Sequence, residues 1–138
     1  PAMQTVPTAA PRALVVDDEE SNAALVRRVL DQAGYEAEST TLSRRALVMI
    51  ERTPYDVVIA DVKMPELSGQ ELYERVCQIR PEMARRFIFI TGDIDGQETL
   101  DFLEGSRCGY FMKPFNLERL TAAVDTLVGR GTERPTVS

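Results

Sequence analysis

Two short apolar runs end on carboxylates. "ALVV" runs directly into Asp17, Asp18, Glu19 and Glu20, and "DVVIA" ends on Asp61. Two further runs end on groups of complementary chemistry: "FIFI" on Thr91 with Gly92, and "GYFM" on Lys113 with Pro114. If Asp17, Asp18 and Asp61 gather within a few ångströms, they repel by on the order of 4 kcal/mol per close pair near a protein surface. A lysine ammonium and a bound divalent cation are the natural compensation. With no cysteine or histidine nearby the ligands are hard oxygens, which suits Mg2+ or Mn2+ and not zinc. A carboxylate beside such a cation can act as a nucleophile toward phosphorus and form an acyl phosphate. Lys113 and the Thr91 hydroxyl would then stabilise charge on the phosphoryl oxygens.

Taken singly, each residue has a plainer use. Asp17 to Glu20 favour the start of a helix, Asp61 is a loop carboxylate, Thr91 a turn residue and Lys113 a solvated lysine. These readings weaken together, because all the residues fall at the ends of strand-like runs.

Other chemistries are excluded by what the chain lacks. It contains no histidine, hence no Ser-His-Asp triad, histidine zinc site, imidazole base or phosphohistidine of its own. No GxxxxGK[ST] occurs and no GxGxxG follows the first strand-like run, so the phosphoryl donor is not expected to be ATP held by this domain. Cys77 and Cys108 match no CxxC or metal-ligand spacing and are expected to be buried, reduced thiols of a cytosolic protein. A net charge of −6 with no basic stripe argues against nucleic-acid binding. No apolar run approaches the length of a membrane span.

The chain has 138 residues, 43% of them apolar and 28% charged, as in one ordinary globular domain. Residues 1–11 and 129–138 read as Pro- and Thr-containing linkers, and a chain starting at Pro1 is expected to be part of a longer protein. Between them lie strand-like runs at 12–16, 35–40, 55–60, 86–91 and 108–112. All but the polar "YEAEST" are continuous apolar runs, the mark of parallel strands covered on both faces. Helical stripes alternate with them. Residues 20–33 place Leu25, Val26, Val29, Leu30 and Ala33 together, 43–52 centre on Leu47 and Ile50, and 69–79 carry Leu72, Val76 and Ile79. Residues 96–104 turn Leu100 and Leu103 inward, and 116–128 open on Asn116 as a cap. Five β-α units predict a flavodoxin-like (βα)5 three-layer α/β sandwich whose parallel sheet has the order 2-1-3-4-5. That order puts the polar strand at an edge and brings the groups after the first, third, fourth and fifth strands together at the carboxyl ends, where such sheets bind ligands.

The fragments "LVVDDE", "ADVKMPELSG", "FITGD" and "YFMKPF", in this order over residues 12–128, resemble the receiver domains of two-component response regulators. The resemblance implies that Asp61 accepts a phosphoryl group from a phosphohistidine on a histidine kinase or phosphotransfer domain. It implies Mg2+ held by Asp17, Asp18, Asp61 and the backbone carbonyl of Lys63, with Thr91 and Lys113 on the phosphoryl group. Tyr110 matches the aromatic that turns inward as Thr91 moves, and Lys113–Pro114 matches a cis peptide bond. Lys63 and Asp93, each two residues past a site residue, are expected to flank the phosphate and tune its hydrolysis. The stretch 89–120 is most similar to receivers of hybrid histidine kinases, which implies a cytoplasmic location, with a free-standing regulator as the other context. The fourth helix, fifth strand and fifth helix would read the signal out to a second copy or an output domain. A haloacid-dehalogenase-type phosphatase fits less well, because its DxD nucleophile follows the first strand. An unphosphorylated scaffold does not explain the intact acidic set.

Overall fold

Strand and helix alternate along the chain in the predicted order. A computed structural model describes residues 10–92 and 96–129. The linker expectations for 1–9 and 130–138, and the expectation for Asp93, lie outside the described residues. The strands are β1 (Arg12–Val16), β2 (Glu36–Thr40), β3 (Val57–Asp61), β4 (Phe87–Thr91) and β5 (Gly109–Met112). All pair in parallel, in the order β2-β1-β3-β4-β5. The helices are α1 (Glu20–Gln32), α2 (Ser43–Arg52), α3 (Gly69–Ile79), α4 (Gln97–Ser106) and α5 (Leu117–Val128).

Alternation along each strand divides the core between the two faces of the sheet. Leu14, Val16, Val58, Ala60, Phe87 and Phe89 meet Ala46 and Ile50 of α2, Leu72 and Val76 of α3, and Leu103 of α4. Ala13, Val15, Val57, Ile59, Ile88 and Ile90 meet Ala23, Val26 and Leu30 of α1, and Leu120 and Val124 of α5. The result is the flavodoxin-like three-layer sandwich. Register aligns the strand ends: Val16 opposes Ala60, Asp61 opposes Ile90, and Thr91 opposes Met112.

Several expectations change. Leu25 is 45% exposed, because the inward stripe of α1 runs through Ala23, Val26 and Leu30 at spacings of three and four, and Leu25 stands roughly 100° away from Val26. Ile79 is 48% exposed, since α3 stops there and the chain turns into a 3-10 helix, Pro81–Arg85, that the sequence reading missed. β5 is covered on both faces only in part: it is the second edge of the sheet, with Gly109 and Met112 exposed and Tyr110 and Phe111 half-buried. Cys77 and Cys108 are half-buried free thiols, not fully buried ones. Asp61 is the last residue of β3 itself, one position further into the sheet than the run "YDVVIA" implied.

Candidate functional site

Each site residue is held by the backbone at a strand end. Asp17 follows β1, and its N–H continues the ladder to the Thr40 carbonyl at 3.2 Å. Its Oδ1 accepts the Glu19 N–H at 2.9 Å across the turn into α1. Asp61 is fixed more tightly: the next residue, Val62, donates to the Ile90 carbonyl at 2.8 Å, so pairing with β4 continues past the carboxylate. Asp61 Oδ1 accepts the Lys63 N–H at 3.2 Å, which orients the carboxylate toward the loop. Thr91 ends β4 fully buried, and its carbonyl accepts the Lys113 N–H at 2.8 Å. Lys113 is joined to Pro114 by the expected cis peptide bond.

The loop after β3 depends on two residues whose roles the sequence reading missed. The Gly69 N–H donates to the Val62 carbonyl at 2.8 Å, closing the loop onto the strand. A Cβ on Gly69 would lie 2.3 Å from the Asp61 carbonyl oxygen, so the glycine is needed for close approach and not for flexibility. Ser68 caps α3 in a reciprocal box: its hydroxyl accepts the Glu71 N–H at 3.1 Å, and the Glu71 carboxylate accepts the Ser68 N–H at 3.0 Å. The signal was present, since Ser68-Gly69-Gln70-Glu71 is a Ser-x-x-Glu capping pattern.

The groups converge as expected. Carboxylate oxygens of Asp17, Asp18 and Asp61 all lie within 4.8 Å of one another, with Asp17 and Asp61 buried and Asp18 exposed. Lys113 Nζ donates to Asp61 Oδ2 at 2.9 Å and stands 3.4 Å from Asp17 Oδ2. Burial pushes the Asp17 carboxyl above its ordinary pKa, and the Asp61 charge adds to this against the opposing Glu19 N–H and Lys113. Burial also works against the Lys113 ammonium, but its bond to Asp61 and the charges of Asp61 and Asp17 outweigh that and raise its pKa. One cation thus sits among three carboxylates, two of them out of water. The remaining negative charge and the all-oxygen donor set suit a hard divalent cation.

The other predicted residues lie around this centre. The Lys63 side chain is exposed beside Asp61. Tyr110 is half-buried against the cluster of Phe87 and Phe89, and it pairs in register with Phe89. Beside Lys113, an apolar hollow of about 390 Å3 is lined by Asn22, Leu25, Pro114, Phe115 and Leu117.

The family profile described as the response regulator receiver domain matches residues 13–125. Among curated proteins, the transcriptional regulatory protein TcrA of Mycobacterium tuberculosis is 31% identical over 120 residues, covering 87% of this chain and 47% of that protein. The two-component response regulator ORR21 of Oryza sativa is 32% identical over 111 residues, covering 79% of this chain and 16% of that protein. The chain therefore spans less than half the length of either relative. Among solved structures, a CheY-like receiver domain protein from Methanospirillum hungatei superposes with a TM-score of 0.79 at 27% identity, covering 88% of this chain and 96% of that one. Vibrio cholerae chemotaxis protein CheY4 gives 0.76 at 30% identity, covering 86% and 99%. The matched span runs from β1 to α5 and takes in the whole acidic edge, and on that evidence the chain belongs to the response regulator receiver domain family of two-component signalling.

Proposed function

We propose that Asp61 is the phosphoacceptor and that a phosphohistidine of a kinase or phosphotransfer domain is the donor. The observation that carries this reading is the contact of Lys113 Nζ with both Asp61 and Asp17 inside the acidic cluster. Asp61 forms the new P–O bond as the P–N bond to the donor imidazole breaks. Lys113 then has a phosphoryl oxygen within its reach, and Thr91, at the neighbouring strand end, supplies a hydroxyl to it. Asp17, Asp18, Asp61 and the Lys63 carbonyl would hold Mg2+, or Mn2+ in its place. Bound there, the cation supplies charge neutralisation for the carboxylates and for the transferring phosphoryl oxygens. The Lys63 side chain and Asp93 tune water access to the phosphorylated Asp61.

The donor docks over the hollow beside Lys113. Leu25 is exposed at its rim, which gives a helical partner an apolar anchor next to the reacting carboxylate. Phosphorylation adds roughly −1.5 to −2 charges and biases Thr91 and Tyr110, with α4, β5 and α5 as the face read by an output domain or second copy. For the whole protein we favour a cytoplasmic hybrid histidine kinase, on the resemblance of residues 89–120. The names of the curated relatives, a transcriptional regulatory protein and a two-component response regulator, favour the second context, a free-standing regulator.

The deciding experiment is incubation with Mg2+ and acetyl phosphate followed by intact-mass measurement. One phosphoryl adduct is expected on the wild type and none on Asp61→Asn. No adduct on the wild type would leave a binding scaffold, and continuous turnover of phosphate esters would leave a phosphatase.

A further inference from the structure

A second concave surface lies away from the acidic edge. Between α3 and α4 the surface opens into a groove of about 680 Å3. Its lining includes two half-buried rings, Tyr73 and Phe102, and three carboxylates, Glu74, Glu98 and Asp101. The rings meet edge-on at 5.7 Å, and the Tyr73 hydroxyl is taken up by the Ala84 carbonyl at 2.9 Å. Gly105 adjoins them, and a Cβ there would meet nothing within 4 Å, so the groove is open at that point.

Among the described residues, two of the carboxylates accept side-chain hydrogen bonds, both from neutral groups of their own helices. Glu74 accepts from Gln70 at 3.2 Å and Asp101 from Gln97 at 2.8 Å. Among the described residues none of the three takes part in an ion pair. Nor do they converge as metal ligands: among the described residues the one group of three clustered carboxylates is Asp17, Asp18 and Asp61. Spread acids with aromatic walls match a cation that is planar, wide and weakly hydrated. A guanidinium has these properties, since it forks onto carboxylates and stacks on rings, whereas an ammonium is compact and strongly hydrated.

We propose that the α3–α4 groove receives an arginine side chain presented by a basic segment of a partner protein. Its occupant also bears on the switch region. Phe102 packs on Phe89 at 5.1 Å, and Phe89 pairs in register with Tyr110, so an arginine held against Phe102 biases the aromatic cluster under β4 and β5. The site is distinct from the phosphoacceptor and does not depend on it, so it is tested in unphosphorylated protein.

The probe is a blocked tri-arginine peptide titrated into 15N-labelled protein, with a tri-lysine peptide for comparison. Saturable amide shifts are expected at residues 70–74 and 98–106, with tri-lysine binding at least about threefold weaker. The Glu98→Gln/Asp101→Asn double variant should weaken tri-arginine binding about tenfold while its labelling by acetyl phosphate stays unchanged. Shifts centred on Asp17 and Asp18, or full binding by the double variant, overturn the site. Equal binding of the lysine peptide overturns the arginine assignment. Concentration-dependent shifts at the same residues without peptide overturn the partner assignment and give the groove to a second copy of the chain.

Discussion

At the scale of single residues, the site depends as much on a missing atom as on its charges. Gly69 lets the loop after β3 fold back onto the strand, with its N–H on Val62 and no Cβ to strike the Asp61 carbonyl. Gly69→Ala forces backbone, not a flexible side chain, to move, an overpacking cost of about 1–3 kcal/mol. The displaced group is the backbone of Asp61, the proposed phosphoacceptor. We therefore expect Gly69→Ala to lower the urea midpoint and to slow adduct formation from acetyl phosphate. A variant that loses stability but labels at the wild-type rate would show that Asp61 is insulated from the loop. The neighbouring Glu66 has φ 70, in the left-handed region, and its carboxylate meets Arg44 across an exposed contact of 3.5 Å that contributes little.

At the scale of elements, helix starts decide where the site begins. α3 has a reciprocal cap in Ser68 and Glu71, and α5 is capped by Asn116, whose side chain accepts the Arg119 N–H at 3.0 Å. α1 has no side-chain cap at Glu19, whose carboxylate accepts the Asn22 side-chain amide at 2.7 Å while its N–H donates to Asp17. The helix that follows Asp17 and Asp18 thus starts without the side-chain capping bond that α3 and α5 have. Ser68→Ala should cost about 1 kcal/mol, read as a shift in denaturant midpoint at unchanged slope. An accompanying change in Asp61 labelling would show that the cap also holds the loop in place. The C-terminal end of α4 has the opposite defect: Arg107 occupies a left-handed conformation, φ 62, where glycine is the usual residue.

Across the whole molecule, function and stability oppose each other at the acidic edge. Asp17 has a raised pKa in the folded state, so its ionised form costs stability above the ordinary carboxylate range. That cost shrinks as pH falls below the folded pKa and is gone below the ordinary carboxylate value. In the absence of divalent cations, Asp17→Asn should therefore raise the melting temperature at neutral pH, and the gain should shrink on acidification. Adding Mg2+ should raise the melting temperature of the wild type by mass action and do far less for the variant. A variant no more stable than wild type at neutral pH without metal would show that Lys113 already balances the cluster. Lys113 runs the other way. Its raised pKa means that its contribution persists through neutral pH and is lost only as pH climbs above the usual lysine range.

Strand identity and order were legible in the sequence because buried parallel strands leave continuous apolar runs, and the single polar run, "YEAEST", suited an edge, where β2 lies. The placement of Asp17, Asp61, Thr91 and Lys113 followed from that order, since each ends a strand whose neighbours also end at the site. What periodicity could not decide was side-chain exposure at the margins of elements. Leu25 and Ile79 fit a helical stripe on paper, but the angular width of the buried stripe and the end of α3 are set by neighbouring layers. β5 reads as apolar whether or not a further strand covers it, and only the assembled sheet makes it an edge. The closeness of Gly69 to the Asp61 carbonyl, and the grouping of Tyr73, Phe102 and three carboxylates between α3 and α4, join residues from separate turns of the chain. The sequence by itself determined which carboxylates, hydroxyl and lysine are brought together and at which edge of the sheet. The tertiary structure alone decided which backbone atoms crowd, which carboxylates lose water, and where a second surface opens, because these depend on distances between elements that no local pattern encodes.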